Sequence, residues 1–193
     1  MNILAFAASS SSKSINKALV THACDLLENE LIEGCTTTTL DLNDFEMPIY
    51  SQDREEQDGI PQLAHDFYQA IDDADALLIS YAEHNGSYSA AYKNIFDWMS
   101  RIDMRVYQDK PTVMLSTSPG RGGGANALRT GVESAPYFGN DLKASLSIPR
   151  FYDNFDLAEK KLTNEEISAE LRQALSTIIP ASISTPINEA SKA

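Results

Sequence analysis

Short apolar runs alternate with amphipathic stretches along most of this chain, and that alternation limits its fold more than any other feature. The runs 2–8 (NILAFAA), 75–82 (DALLISYA) and 110–118 (KPTVMLSTS) are too short for helices and read as buried strands. The segments 35–42 (CTTTTLDL) and 141–148 (DLKASLSI) bring the strands to five. Between them lie helical patterns. In 14–31, Ile15, Leu19, Ala23, Leu26 and Leu27 share a face and Gly34 stops the helix. In 61–74, which opens on Pro61, the apolar positions are Leu63, Phe67, Ala70 and Ile71. In 89–102, Ile95, Trp98, Met99 and Ile102 face inward, and Trp98 and Tyr92 read first as core.

A further helix, 124–135, follows a glycine-rich turn, and 164–179 closes the pattern with Thr163 as its expected cap and Glu166 at the capping-box position. The polar stretch 51–59 (SQDREEQDG) reads as an exposed loop. Strict alternation with apolar strands implies a parallel sheet covered on both faces. Five such units match the doubly wound α/β order 2-1-3-4-5. Residues 1–179 are expected to form one domain, with 180–193 a loose tail on its surface.

The formal net charge of −13 argues against nucleic acid and anionic membrane as partners, since both need a basic footprint. No window holds the roughly 20 apolar residues of a membrane span, and no basic-then-apolar leader opens the chain. Cys24 and Cys35 have neither CxxC nor metal-ligand spacing and read as buried, reduced thiols. No metal site is expected, and the expected compartment is the cytoplasm.

In a doubly wound sheet, ligands bind beyond the carboxyl ends of the strands, where strand order reverses. The exits of strands one, three and four are also the least ordinary stretches of the sequence. They are 8–16 (ASSSSKSIN), 81–89 (YAEHNGSYS) and 116–126 (STSPGRGGGAN). The first combines hydroxyls with a helix N-terminus, where an N-cap needs only one serine and an anion uses several donors. The second contains Asn85-Gly86, a turn dipeptide that lets backbone approach a ligand. The third offers Gly120 and Gly122 to Gly124, whose N–H groups are not shielded by side chains.

These three stretches, in this order and spacing, resemble the NAD(P)H-dependent FMN reductase family of flavodoxin-like flavin reductases, which includes quinone, azo-dye and chromate reductases. The family's phosphate loop, Gly-Ser-x-Arg-x-x-Ser-x-Asn, corresponds to Ala8 through Asn16 and keeps both serines and the asparagine. Its Pro-Glu-Tyr-Asn-Gly-Ser and Leu-Lys-Asn-x-x-Asp-Trp appear as Ala82 to Ser87 and Tyr92 to Trp98. The family's glycine is Ala8 here, its loop arginine is Ser11 and its tyrosine is His84, while Lys13 offers a nearby cation.

The resemblance implies a flavodoxin-like fold and FMN as cofactor. It seats the phosphate at Ser9, Ser11, Ser14, Ile15 and Asn16, the last two mainly through backbone N–H groups. Glu83, His84, Asn85 and Gly86 then line one side of the isoalloxazine, and Ser118, Pro119, Gly120, Gly122 and Gly123 its pyrimidine edge. Arg121 is a candidate cation for that edge or for a pyrophosphate. The activity implied is hydride transfer from NAD(P)H to FMN and onward to a small-molecule acceptor such as a quinone or flavin, in ping-pong order. A homodimer or homotetramer is expected, with contact at helix 89–102 near Arg101 and Arg105. Two rivals share parts of this pattern: an FMN-binding electron carrier without nicotinamide turnover, and a hydrolase using a loop serine, for which no histidine stands in a recognisable motif.

Overall fold

The computed structural model describes residues 1–178. Five parallel strands form one sheet: β1 (Asn2–Ala8), β2 (Thr36–Leu40), β3 (Ala76–Tyr81), β4 (Pro111–Thr117) and β5 (Asp141–Ile148). Their spatial order is β2-β1-β3-β4-β5, as the alternation predicts. The central strands are buried almost throughout, so both of their faces need apolar side chains. β2 and β5 are partly exposed edge strands, and their Thr, Ser and Lys residues belong to that position.

Side chains alternate between two cores. Ile3, Ala5 and Ala7 face α1 (Ile15–Leu26) and α7 (Glu165–Ser176), where Leu19, Val20, Leu171 and Leu175 are buried. Leu4, Phe6 and Ala8 face α3 (Gln62–Asp72), α4 (Ala90–Ile102) and α5 (Ala125–Ser134). Crossover helices on both faces bring the exits of β1, β3 and β4 together at one edge of the sheet.

Several boundaries differ from the sequence reading. The first helix is α-helical only to Leu26; residues Leu27–Leu31 form a π turn, closed by the Ile32 N–H on the Leu27 carbonyl at 3.0 Å. Residues 51–59 are not a loop, because Gln52–Asp58 form a helix, α2. It buries no residue and so shows no apolar period. Ser51 caps it by accepting the Arg54 N–H, and Arg101 of α4 anchors it through Glu55 at 2.9 Å. The cap of α7 is Asn164, which accepts from the Ile167 N–H, rather than Thr163, so Glu166 is not its capping-box partner. A short helix, α6 (Phe151–Asn154), and the strand pair Phe155–Asp156 with Lys161–Leu162 link β5 to α7. The tail expected at 180–193 lies outside the described residues, as does Ile179 at the expected end of the last helix.

Trp98 and Tyr92 are core residues, as read. The Trp98 indole N–H donates to the Pro48 carbonyl at 2.8 Å, and the Tyr92 hydroxyl meets that of Tyr107 at 2.9 Å. Cys24 and Cys35 are both buried and unbridged. Burial pushes the Cys24 thiol up to about 11 and raises that of Cys35. Among the described residues no helix is long and apolar enough to cross a membrane.

Candidate active site

The β1 exit turns on its own hydroxyls. Ser9 Oγ accepts the Ser11 N–H at 3.2 Å, and Ser11 Oγ accepts the Lys13 N–H at 3.3 Å. Ser14 caps α1 by accepting the Lys17 N–H at 3.2 Å. A hydroxyl that accepts an amide keeps its own proton to donate, so this chain of turns orients three donors rather than consuming them. An α-helix gives its first amides no internal acceptor, which leaves the N–H groups of Ile15 and Asn16 for a ligand at the positive end of the helix.

Asn16 does more than lend a backbone amide. Its side chain is buried, and Oδ1 accepts from the Ser80 hydroxyl at 2.8 Å and the Thr117 N–H at 3.0 Å. Its Nδ2 donates to the Thr117 carbonyl at 3.2 Å. One amide side chain therefore joins the exits of β1, β3 and β4. Ser89, the cap of α4, adds a second tie by donating to the Ala8 carbonyl at 2.8 Å.

After β3 the chain forms a small hairpin, Glu83–His84 paired with Ser87–Tyr88. Asn85 (φ 53°) and Gly86 (φ 78°) turn it in the left-handed region, as a two-residue hairpin loop requires. The Glu83 carboxylate points to the start of α5, where Oε2 accepts the N–H groups of Asn126 at 2.8 Å and Ala127 at 3.1 Å. Burial alone would raise this carboxyl, but these donors and the Asn126 side chain hold it below its usual value. The side chain read as a flavin neighbour is thus a helix cap that locks the β3 and β4 exits together.

In the glycine-rich loop, Pro119, Gly120, Arg121 and Gly122 are exposed. The Gly120 carbonyl accepts the Arg150 N–H at 2.9 Å, and that of Ser118 accepts the Phe151 N–H at 3.0 Å. Gly123 departs from the expectation of an open, ligand-facing glycine. It is buried at φ 58°, and a Cβ there would stand 2.4 Å from Ser147 Oγ.

These parts enclose a cleft of about 260 Å³. Ser9, Ser11, Ser14, Ile15, Asn16, Glu83, His84, Ser118 and Pro119 all line it, joined by Lys13, Ala82 and Thr117. Asn85, Gly86, Gly120, Arg121, Gly122 and Gly123 stand around it without lining it. Tyr152 of α6 also lines the cleft. Sequence reading missed it because it lies beyond the fifth strand, where no motif marks it. Ser80 is equally unmarked, although a hydroxyl inside the apolar run LLISYA is a readable oddity, and Thr117 lies within the singled-out stretch 116–126 without being named there.

The sequence pattern of the family described as NADPH-dependent FMN reductase matches residues 1–137. The chain is 31% identical over 178 residues to an NADPH:quinone oxidoreductase of Arabidopsis thaliana, covering 91% of this chain and 88% of that one. It is 32% identical over 127 residues to an NAD(P)H-dependent FMN reductase of Pseudomonas aeruginosa, covering 66% of this chain and 65% of the relative. Among solved structures it is similar in fold to the FerB flavoenzyme, an NAD(P)H:(acceptor) oxidoreductase of Paracoccus denitrificans. That match has a TM-score of 0.75 and 22% identity, over 92% of this chain and 94% of the other.

Proposed function

The chain belongs to the NADPH-dependent FMN reductase family, and from that premise we propose that the cleft at the exits of β1, β3 and β4 holds FMN for reduction by NAD(P)H. The observation that carries the assignment of the site is the set of donors oriented around the start of α1. The free amides of Ile15 and Asn16 and the hydroxyls of Ser9, Ser11 and Ser14 suit a terminal phosphate by charge and by donor count. Lys13, on the same wall, contributes the positive charge that Ser11 lacks. When bound there, FMN would supply the redox chemistry between NAD(P)H and a small acceptor, of which a quinone is the class favoured by the relatives' names.

The protein's part is to hold and polarise. Glu83 and His84 of the hairpin and Ser118 and Pro119 of the loop border the cleft, and exposed amides of the loop beside it would stabilise negative charge at the polar edge of the ring as preorganised donors. Arg121 is exposed in the same loop, beside the cleft rather than lining it, and is the candidate cation for that edge. Small side chains at Ala82, Ser118 and Pro119 leave one face open to two substrates in turn.

A second copy of the chain would fit beside this site. Ile49 is 75% exposed and lines a cavity of about 310 Å³ with Ser10 of the β1 exit and Ala91 and Ile95 of α4, which supports a homodimer or homotetramer. Arg101 and Arg105, expected at that contact, pair within the chain with Glu55 and Asp109. Two unbridged cysteines support a reducing compartment such as the cytoplasm.

The test is a visible spectrum of FMN-loaded protein, oxygen-free, before and after NADPH. Bleaching within the time of turnover, reversed by a quinone, is the expected result. Bound flavin that stays oxidised would overturn the reductase reading in favour of an electron carrier.

A further inference from the structure

A second groove opens beside the flavin cleft, between the first half of α1 and residues 152–160, with a volume of about 680 Å³. The two are contiguous, since Lys13, Ser14, Ile15 and Tyr152 line both. The groove lies within the size range of small-ligand sites. Its apolar wall includes Ile15, Phe155 and Leu157. Tyr152 is 60% exposed and Leu157 55%, two of the five large apolar side chains exposed among the described residues.

The charge of this groove opposes that of the molecule. The chain carries 28 acidic and 15 basic residues, yet three lysines and no carboxylate line the groove. Lys17 is paired with Asp41 at 2.6 Å. Among the described residues, Lys13 and Lys160 have no carboxylate within 4 Å, which leaves two unpaired cations on a surface of net charge −13.

We propose that this groove binds the adenosine-phosphate half of NADPH, with Lys160 recognising the 2′-phosphate. This rests on the reading of the neighbouring cleft as the flavin site. With nicotinamide over the flavin, the remainder of the dinucleotide must lie on an adjoining surface. A highly acidic protein must meet its phosphates with local cations. Lys13 lines both cavities, so besides facing the FMN phosphate it borders the path by which the pyrophosphate crosses from one to the other. Lys160 lines only the groove and so meets the far phosphate, while Tyr152 and Leu157 give the adenine an apolar and aromatic platform.

The experiment uses FMN-loaded full-length protein and the Lys160→Ala variant, with 2′,5′-ADP as the calorimetric probe and steady-state KM for NADPH and NADH. The expected result is binding of 2′,5′-ADP that weakens about tenfold in Lys160→Ala. The KM for NADPH rises by a similar factor relative to that for NADH, and FMN affinity stays within about twofold; one lost charge-assisted contact of this kind is a tenfold effect. No binding of 2′,5′-ADP, or an unchanged ratio of KM values, while NADPH still bleaches the flavin, would overturn the groove assignment alone. Failure of NADPH to bleach the flavin would overturn the underlying reading instead. If the apo-protein bound FAD more tightly than FMN, and Lys160→Ala removed that margin, the groove would hold the adenylate of a flavin and the proposal would fall.

Discussion

Asn16 shows how much of a site one side chain can organise. Its amide meets Ser80 and both backbone groups of Thr117, a residue 101 positions away, in a place closed to water. Truncation to Ala would orphan the Thr117 N–H and carbonyl together with the Ser80 hydroxyl. At about 1–3 kcal/mol for a buried group left unsatisfied, with partial relaxation, Asn16→Ala should cost about 2–4 kcal/mol. For a protein of this size that lowers the melting temperature by about 5–15 °C, and FMN release should accompany it. An unchanged melting curve would show that the three strand exits do not depend on this tie. The residue itself was legible as part of a phosphate loop. Its side-chain role was not, because nothing local tells an asparagine whether its partners lie one turn or one crossover away.

At the scale of elements, the glycine-rich loop divides into two parts with different constraints. Gly122 is exposed, with nothing within 4 Å of a built Cβ, whereas Gly123 sits at φ 58° with Ser147 Oγ at 2.4 Å and the Pro149 nitrogen at 3.0 Å. Gly122→Ala should therefore change stability by no more than about 0.5 kcal/mol. Gly123→Ala should cost about 1–3 kcal/mol through strain and displacement of β5, read as a shift in urea midpoint. Equal midpoints for the two variants would contradict this division. The composition of the loop made it conspicuous, but four similar glycines gave no hint of which faces solvent. Helix α2 has the opposite history. With no apolar face, its sequence had the polarity of a loop, and Ser51 and the Glu55–Arg101 pair hold the helix in place.

The whole molecule sets the pH response. His22 of α1 is buried against Phe155, and its Nε2 has no hydrogen-bond partner among the described residues. Burial lowers its pKa below 6.5, opposed by Asp25 and Glu30 and aided by Arg172 of α7. The unfolded chain then binds more protons than the native one once pH falls through about 6.5. Stability contributed by neutral His22 is thus present above that value and is lost on acidification, levelling off below the native pKa. His22→Leu should flatten the decline in urea midpoint between about pH 7.5 and pH 5. A decline as steep as that of the parent protein would place the acid sensitivity elsewhere.

Sequence alone was enough for the order of the five strands and their crossover helices, the parallel doubly wound sheet covered on both faces, and the three loops that meet at its carboxyl edge. Each of these follows from local periodicity and turn chemistry, which a short window of residues carries in full. It took the folded chain to show that Glu83 caps a helix 43 residues away, that Asn16 fastens three strand exits, and that Gly123 turns inward. Folding also brought Tyr152 into the cleft and set Lys13 and Lys160 along one groove. The difference lies in the reach of the interactions involved. A hydrogen bond or a shared cavity between distant segments depends on where crossovers deliver them, and no periodicity along the chain records that meeting.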